Sequence, residues 1–250
     1  MNTFKKSHKQ LSIFVTAGYP NLESLPEQLS LLEAKGVDFV EVGIPFSDPM
    51  ADGPTIQKTS DIALKNGMNL DRLFDQLREY NSNLPVVLMG YLNPVLAYGI
   101  DRFLSLCKEV GVSSVILPDM SLEIYERFYQ TTFHEYEITP CFLITPSTST
   151  ERIATIAKTC RNSFVYLVSS NATTGENISF GQDQKKRFER IRSACGETPL
   201  FMGFGIDSKE KVDFVHEVCD GAIIGSAYLK ALEHGNEITF LESLQTHEQA

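Results

Sequence analysis

Short apolar runs recur along the chain at LSIFVTAG (11–18), DFVEVGIP (38–45), PVVLMGYL (85–92) and SSVILPD (113–119). Four more follow at EITPCFLIT (137–145), SFVYLVS (163–169), PLFMGFGI (199–206) and DGAIIGSA (220–227). Amphipathic stretches separate them. In SKEKVDFVHEVC, Val212, Val215, Val218 and Cys219 recur at three- and four-residue steps behind Ser208, a candidate N-cap. Strand runs alternating with helical stretches predict parallel strands joined by helical crossovers. Eight such units predict an α/β protein, a closed (β/α)8 barrel forming a single domain over residues 1–250. A doubly wound open sheet is the alternative, and it too places ligands at the strand C-termini.

Two units are stretched. The second and third runs start 47 residues apart and the sixth and seventh 36 apart, against 21–28 elsewhere. The excess follows strands two and six, so long loops are expected after Ile44 and Ser169, on the barrel face where active sites are built.

Alternation within the second run separates its faces. Val40, Val42 and Ile44 form an apolar outer face, while Phe39, Glu41 and Gly43 point into the barrel. A carboxyl there is partly desolvated, which favours its protonated form and raises its pKa. None of the eight runs carries a Lys or Arg to pair with it. Glu41 is therefore a candidate general acid or base. Past the strand, Pro45, Pro49 and Pro54 stiffen a loop that carries Asp48 and Asp52. Near the last two strand ends, Gly205, Gly225 and Ser226, with Gly175 of the sixth loop, offer backbone approach and a helix N-terminus to an anion, as a phosphate requires.

Composition narrows the chemistry. A net charge of −10 and a pI near 5.0 argue against a basic nucleic-acid surface. No apolar run is long enough to span a membrane, and no apolar stretch follows the initial basic residues, so a cytoplasmic location is expected. Five widely spaced cysteines suggest neither a disulfide framework nor a zinc site. The histidines, at 8, 134, 216, 234 and 247, fall outside the strand runs, so no metal cluster is expected. Neither a strand lysine for a Schiff base, a G-x-S-x-G elbow nor a nucleotide P-loop is present. Proton transfer by carboxylates remains, with Tyr91, Tyr166 and Asp119 as further polar groups at strand ends. A substrate handled this way must supply its own electron sink.

The segments FVTAGYP, VEVGIPFSDPMADGPTIQ, GYLNPVLAYG, YLVSS, GFGI and IGSA, in this order, closely resemble the tryptophan synthase α-subunit family. The resemblance runs across essentially the whole chain. It implies a TIM barrel that cleaves indole-3-glycerol phosphate to indole and glyceraldehyde 3-phosphate. The indole then passes to a β subunit carrying pyridoxal phosphate within an αββα assembly. No cofactor is implied for this chain itself. By motif, Glu41 matches the catalytic glutamate and Asp52 the aspartate that holds the indole N–H. Phe14, Met89, Tyr91, Ile116, Tyr166 and Thr174 match the indole pocket or its edge. Gly175, Gly205, Gly225 and Ser226 match the phosphate cradle, and Asp48, Pro49 and Met50 the face that docks on β. The sixth loop departs from the family pattern Ser-Arg-x-Gly-Val-Thr-Gly. Here it reads SSNATTG, with Ser170 for the arginine, Ala172 for the first glycine and Thr173 for the valine. Losing a fork-shaped cation and a flexible backbone position bears on lid closure. Two readings follow: an active lyase that also activates β, or an α subunit with weakened cleavage that acts mainly as activator. Another phosphate-binding barrel, such as a sugar-phosphate isomerase, is a third.

Overall fold

A computed structural model describes residues 3–80, 82–169 and 182–244. The strands are β1 (Gln10–Thr16), β2 (Phe39–Gly43), β3 (Val86–Met89), β4 (Ser114–Ile116), β5 (Thr139–Cys141), β6 (Leu143–Ile144), β7 (Val165–Val168), β8 (Leu200–Gly203) and β9 (Gly221–Ile224). They hydrogen-bond in the order β5-β4-β3-β2-β1-β9-β8-β7-β6, every pair parallel. The terminal strands of that order, β5 and β6, are consecutive in the chain and meet at Phe142. The sheet is therefore a nearly closed barrel surrounded by helices, the expected (β/α)8 architecture.

The fifth apolar run forms two strands rather than one. β5 pairs with β4 and β6 with β7, so the run changes partner at Phe142, whose carbonyl accepts from Tyr166 N at 3.0 Å. Pro140 lies inside β5 and cannot donate to a ladder. The stretched second unit also differs from expectation. Its extra length makes the connection 44–53 and an additional helix, Pro54–Lys65, ahead of the crossover helix Leu70–Glu79. Pro54 suits the first helical position because an N–H there has no partner within the helix. Only Ser169 of the long connection expected after the sixth run falls within the described residues.

Strands covered on both faces read as continuous apolar runs, and two separate cores result. Val40, Val42 and Ile44 belong to the outer core between strands and helices, whereas Phe39 belongs to the inner one. At the N-terminal end of the barrel, Phe4, Phe39, Phe164 and Phe201 pack ring against ring, with centroids 4.9–5.5 Å apart. That plug closes one end, so any internal space opens at the C-terminal end of the strands. The predicted helix at Ser208 forms over Lys209–Val218 and buries Val212, Val215 and Val218. All five cysteines are free and buried. Among the described residues, no helix is long and apolar enough to cross a membrane.

Candidate active site

Glu41 stands midway along β2, in register with Phe14 on β1 and Val87 on β3. Its neighbours on the inner face are Phe39 below and Gly43 above. The residue is 1% exposed, and its Oε1 has no hydrogen-bond partner among the described residues. Burial alone, with no cation to offset it, pushes the carboxyl up to about 8. A group in that state is mostly protonated at neutral pH and can both give and take a proton.

Above Glu41 lies a cavity of about 740 Å³. Phe14, Met89, Tyr166 and Ile223 supply apolar wall, and Asp52, Gly205, Gly225 and Ser226 supply polar edge. Glycine makes the room. A Cβ at Gly43 would overlap the Phe14 ring, and one at Gly203 would overlap the Tyr166 hydroxyl. Both aromatic rings can therefore lie across the barrel mouth. Burial raises the Tyr166 hydroxyl, with the Glu41 charge the next contribution.

Asp52 reaches the cavity from the connection 44–53. The Tyr91 hydroxyl donates to its Oδ2 at 3.1 Å and accepts from Ala51 N at 2.9 Å. One buried tyrosine thus ties the acidic loop to the end of β3, and the Phe46 ring packs against it with centroids 5.3 Å apart. Burial raises the Asp52 carboxyl, and the Tyr91 hydrogen bond opposes that rise.

At the far side of the cavity, the backbone N–H groups of Gly205, Ile206, Gly225 and Ser226 have no hydrogen-bond partner among the described residues. Phe204 and Gly205 both adopt positive φ, 71° and 72°. Ser226 begins the helix Ser226–Glu233, whose positive dipole end adds to the attraction for an anion. Unpartnered donors lining one wall suit a phosphate better than an apolar ligand.

Not every residue singled out from the sequence lines this cavity. Ile116, fully buried, pairs in register with Met89 and backs the wall instead of forming it. Tyr91 stands behind Asp52 for the reason just given. Asp119 accepts from Leu92 N through both carboxyl oxygens, at 2.9 and 3.0 Å, so it serves the start of the helix Leu92–Tyr98. Asp48 is exposed and accepts from the Ser47 hydroxyl at 2.5 Å; Met50 is 83% exposed at the cavity rim. Thr174 and Gly175, with the altered positions 170–173, lie outside the described residues.

Among the cavity residues that sequence reasoning missed are its two lysines, Lys211 and Lys230. Lys230 lies one helical turn beyond Ser226, a spacing that could have flagged it. Lys211 donates to the Gly205 carbonyl at 2.9 Å and to Asp207 at 2.8 Å. Only the Asp207–Lys211 spacing hinted at that.

Comparison with known proteins points one way. A family model described as tryptophan synthase alpha chain matches residues 1–250. The tryptophan synthase alpha chain of Christiangramia forsetii is 45% identical over 235 residues, covering 93% of this chain and 90% of the relative. That of Petrotoga mobilis is 44% identical over 234 residues, with the same coverage of each. Among solved structures, the tryptophan synthase complex from Pyrococcus furiosus aligns with a TM-score of 0.82 at 30% identity, over 95% of this chain and 97% of that one. Tryptophan synthase from Mycobacterium tuberculosis aligns with a TM-score of 0.84 at 28% identity, over 95% and 91%. Matched along its whole length by that model and sharing the barrel of those structures, the chain belongs to the tryptophan synthase alpha chain family.

Proposed function

We propose that the chain cleaves indole-3-glycerol phosphate to indole and glyceraldehyde 3-phosphate and works as the α subunit beside a tryptophan synthase β subunit. One observation carries the reading. A carboxyl buried in the barrel mouth, its Oε1 without a partner among the described residues, faces a cavity that also holds Asp52 and a wall of backbone donors with no partner among those residues. In this reaction Glu41, protonated at neutral pH, gives its proton to indole C3. The ring becomes a cation, with its N–H held by the Asp52 carboxylate. Glu41, now a carboxylate, removes the proton from the glycerol hydroxyl next to the ring. The C–C bond breaks, its electron pair returns to the ring, and an aldehyde leaves. Glu41 ends protonated as it began. The indole ring is the electron sink, so the chain's own chemistry calls for no cofactor; pyridoxal phosphate belongs to the β subunit. The donors at Gly205, Gly225 and Ser226 hold the phosphate, with Thr174 and Gly175 assigned beside the substrate by family motif. Asp48, Pro49 and Met50 face β, an assignment that agrees with the exposure of Met50.

The test is a direct assay. Purified chain is given indole-3-glycerol phosphate with and without β subunit, and β is given indole with and without this chain. Release of indole by wild type and its loss in Glu41→Gln, with β binding retained, is the expected result. Activation of β without any cleavage would instead favour the activator-only reading, which no observation among the described residues supports.

A further inference from the structure

The Phe204–Gly205 turn sits at the anion end of the cavity and is held at two points by side chains distant from it in sequence or across a helix turn. Ser169, at the end of β7, donates its hydroxyl to the Phe204 carbonyl at 3.2 Å. Lys211, in the helix Lys209–Val218, donates its ammonium to the Gly205 carbonyl at 2.9 Å, and Asp207 accepts from the same ammonium at 2.8 Å. These two carbonyls belong to successive peptide groups. In a trans peptide the C=O and N–H point in opposite directions, so fixing one fixes the other. The Phe204 carbonyl is partnered with the N–H of Gly205, and the Gly205 carbonyl with the N–H of Ile206. Both N–H groups lack a partner among the described residues, and both residues line the cavity. The turn needs holding. A bulky residue at φ 71° is uncommon and relaxes when its surroundings allow. The ammonium also polarises the peptide group it binds, which makes the Ile206 N–H a stronger donor.

We propose that Ser169 and Lys211 are positioning residues that clamp two successive peptide groups of the Phe204–Gly205 turn, aiming the Gly205 and Ile206 N–H groups at the substrate phosphate. This rests on the phosphate assignment made above. Neither side chain needs to touch the phosphate. Lys211 acts through the Gly205 carbonyl and is itself held by Asp207, so its length and charge both matter.

The experiment uses the full chain in complex with β subunit and compares wild type with Lys211→Met, Lys211→Arg and Ser169→Ala. Three quantities are measured: the KM for indole-3-glycerol phosphate, the inhibition constant of inorganic phosphate, and the affinity for indole. Lys211→Met is expected to raise the KM and the phosphate inhibition constant together by about tenfold, the loss of one charge-assisted hydrogen bond. Ser169→Ala is expected to raise both by roughly fivefold, the loss of a neutral one. Lys211→Arg should return both close to wild type, and indole affinity should hold in all three. Unchanged phosphate inhibition in Lys211→Met and Ser169→Ala overturns the clamp. So does a parallel loss of indole affinity, which would mark general damage to the barrel mouth. If inorganic phosphate fails to compete in wild type, the phosphate assignment itself is overturned and the clamp with it.

Discussion

Glu41 shows what burying one ionisable side chain costs and what it makes possible. Its carboxyl is held at about 8, against 4.5 for the free group, so folding favours the protonated form. The native state then binds more protons than the unfolded chain between those two pH values. Stability is complete below pH 4.5 and is lost as pH rises through the interval, by on the order of 1 kcal/mol per pH unit. Glu41→Gln removes this term. Thermal melts should show the variant gaining on wild type from pH 4.5 to about 8 and keeping a constant lead above. A difference independent of pH would contradict the raised carboxyl. The same variant should lose about 10²–10⁴-fold in cleavage rate, the usual worth of a positioned acid or base. Tyr91→Phe tests the other carboxyl. Without the hydroxyl, the Ala51 N–H loses its acceptor and Asp52 a donor that lowers its pKa. The acid limb of the pH–rate profile should move to higher pH, with roughly tenfold slower cleavage. The inward placement of Glu41 was legible in the sequence because side chains alternate along a strand. The Tyr91–Asp52 bond was not, since it joins residues 39 positions apart through a loop whose path no periodicity describes.

At the scale of elements, the site depends on glycines in strands and on a loop braced by prolines and Tyr91. Gly203 ends β8 where the Tyr166 ring crosses the barrel. Gly203→Ala should displace that ring, costing ~1–3 kcal/mol in denaturant melts. The affinity for indole should fall more than the affinity for inorganic phosphate. Equal losses of both would mean that the ring does not define the indole end of the cavity. The connection 44–53 carries Met50 outward, and a large exposed apolar side chain beside an active-site mouth suits a partner. Met50→Asp should weaken co-elution with β subunit on a sizing column while leaving the isolated chain's melting temperature within a few degrees of wild type. The number of strand runs was readable from apolar patterning. The break at Phe142 and the additional helix Pro54–Lys65 were not. A strand's partner change and a helix inserted in a crossover are both settled by packing onto neighbours.

The whole molecule is a barrel stoppered by phenylalanine rings at one end and open at the other, on a chain of net charge −10. The phosphate ester proposed as substrate would approach against the mean field, toward local donors at the cavity: N–H groups, a helix start and two lysines. Long-range steering is weak in such an arrangement, so recognition rests on contacts made in the cavity. The sixth-loop departures at Ser170, Ala172 and Thr173 lie outside the described residues, so they are tested through activity. Ser170→Arg combined with Ala172→Gly, which restores the family pattern, should raise the steady-state rate of the proposed cleavage if these departures limit it. An unchanged rate in the β complex would place the limiting step elsewhere.

The chain's pattern alone determined the alternation of strands and helices, the inward carboxyl with no strand cation to neutralise it, and the glycines gathered at the last two strand ends. Each of these follows from local geometry, where a period of two residues or a missing side chain has the same meaning in any context. Only the tertiary structure decided that Ile116 backs the wall, that Asp119 caps a helix, and that Ser169 and Lys211 meet consecutive carbonyls of one turn. Those facts depend on the register between strands and on which side chains closure of the barrel brings within hydrogen-bond reach.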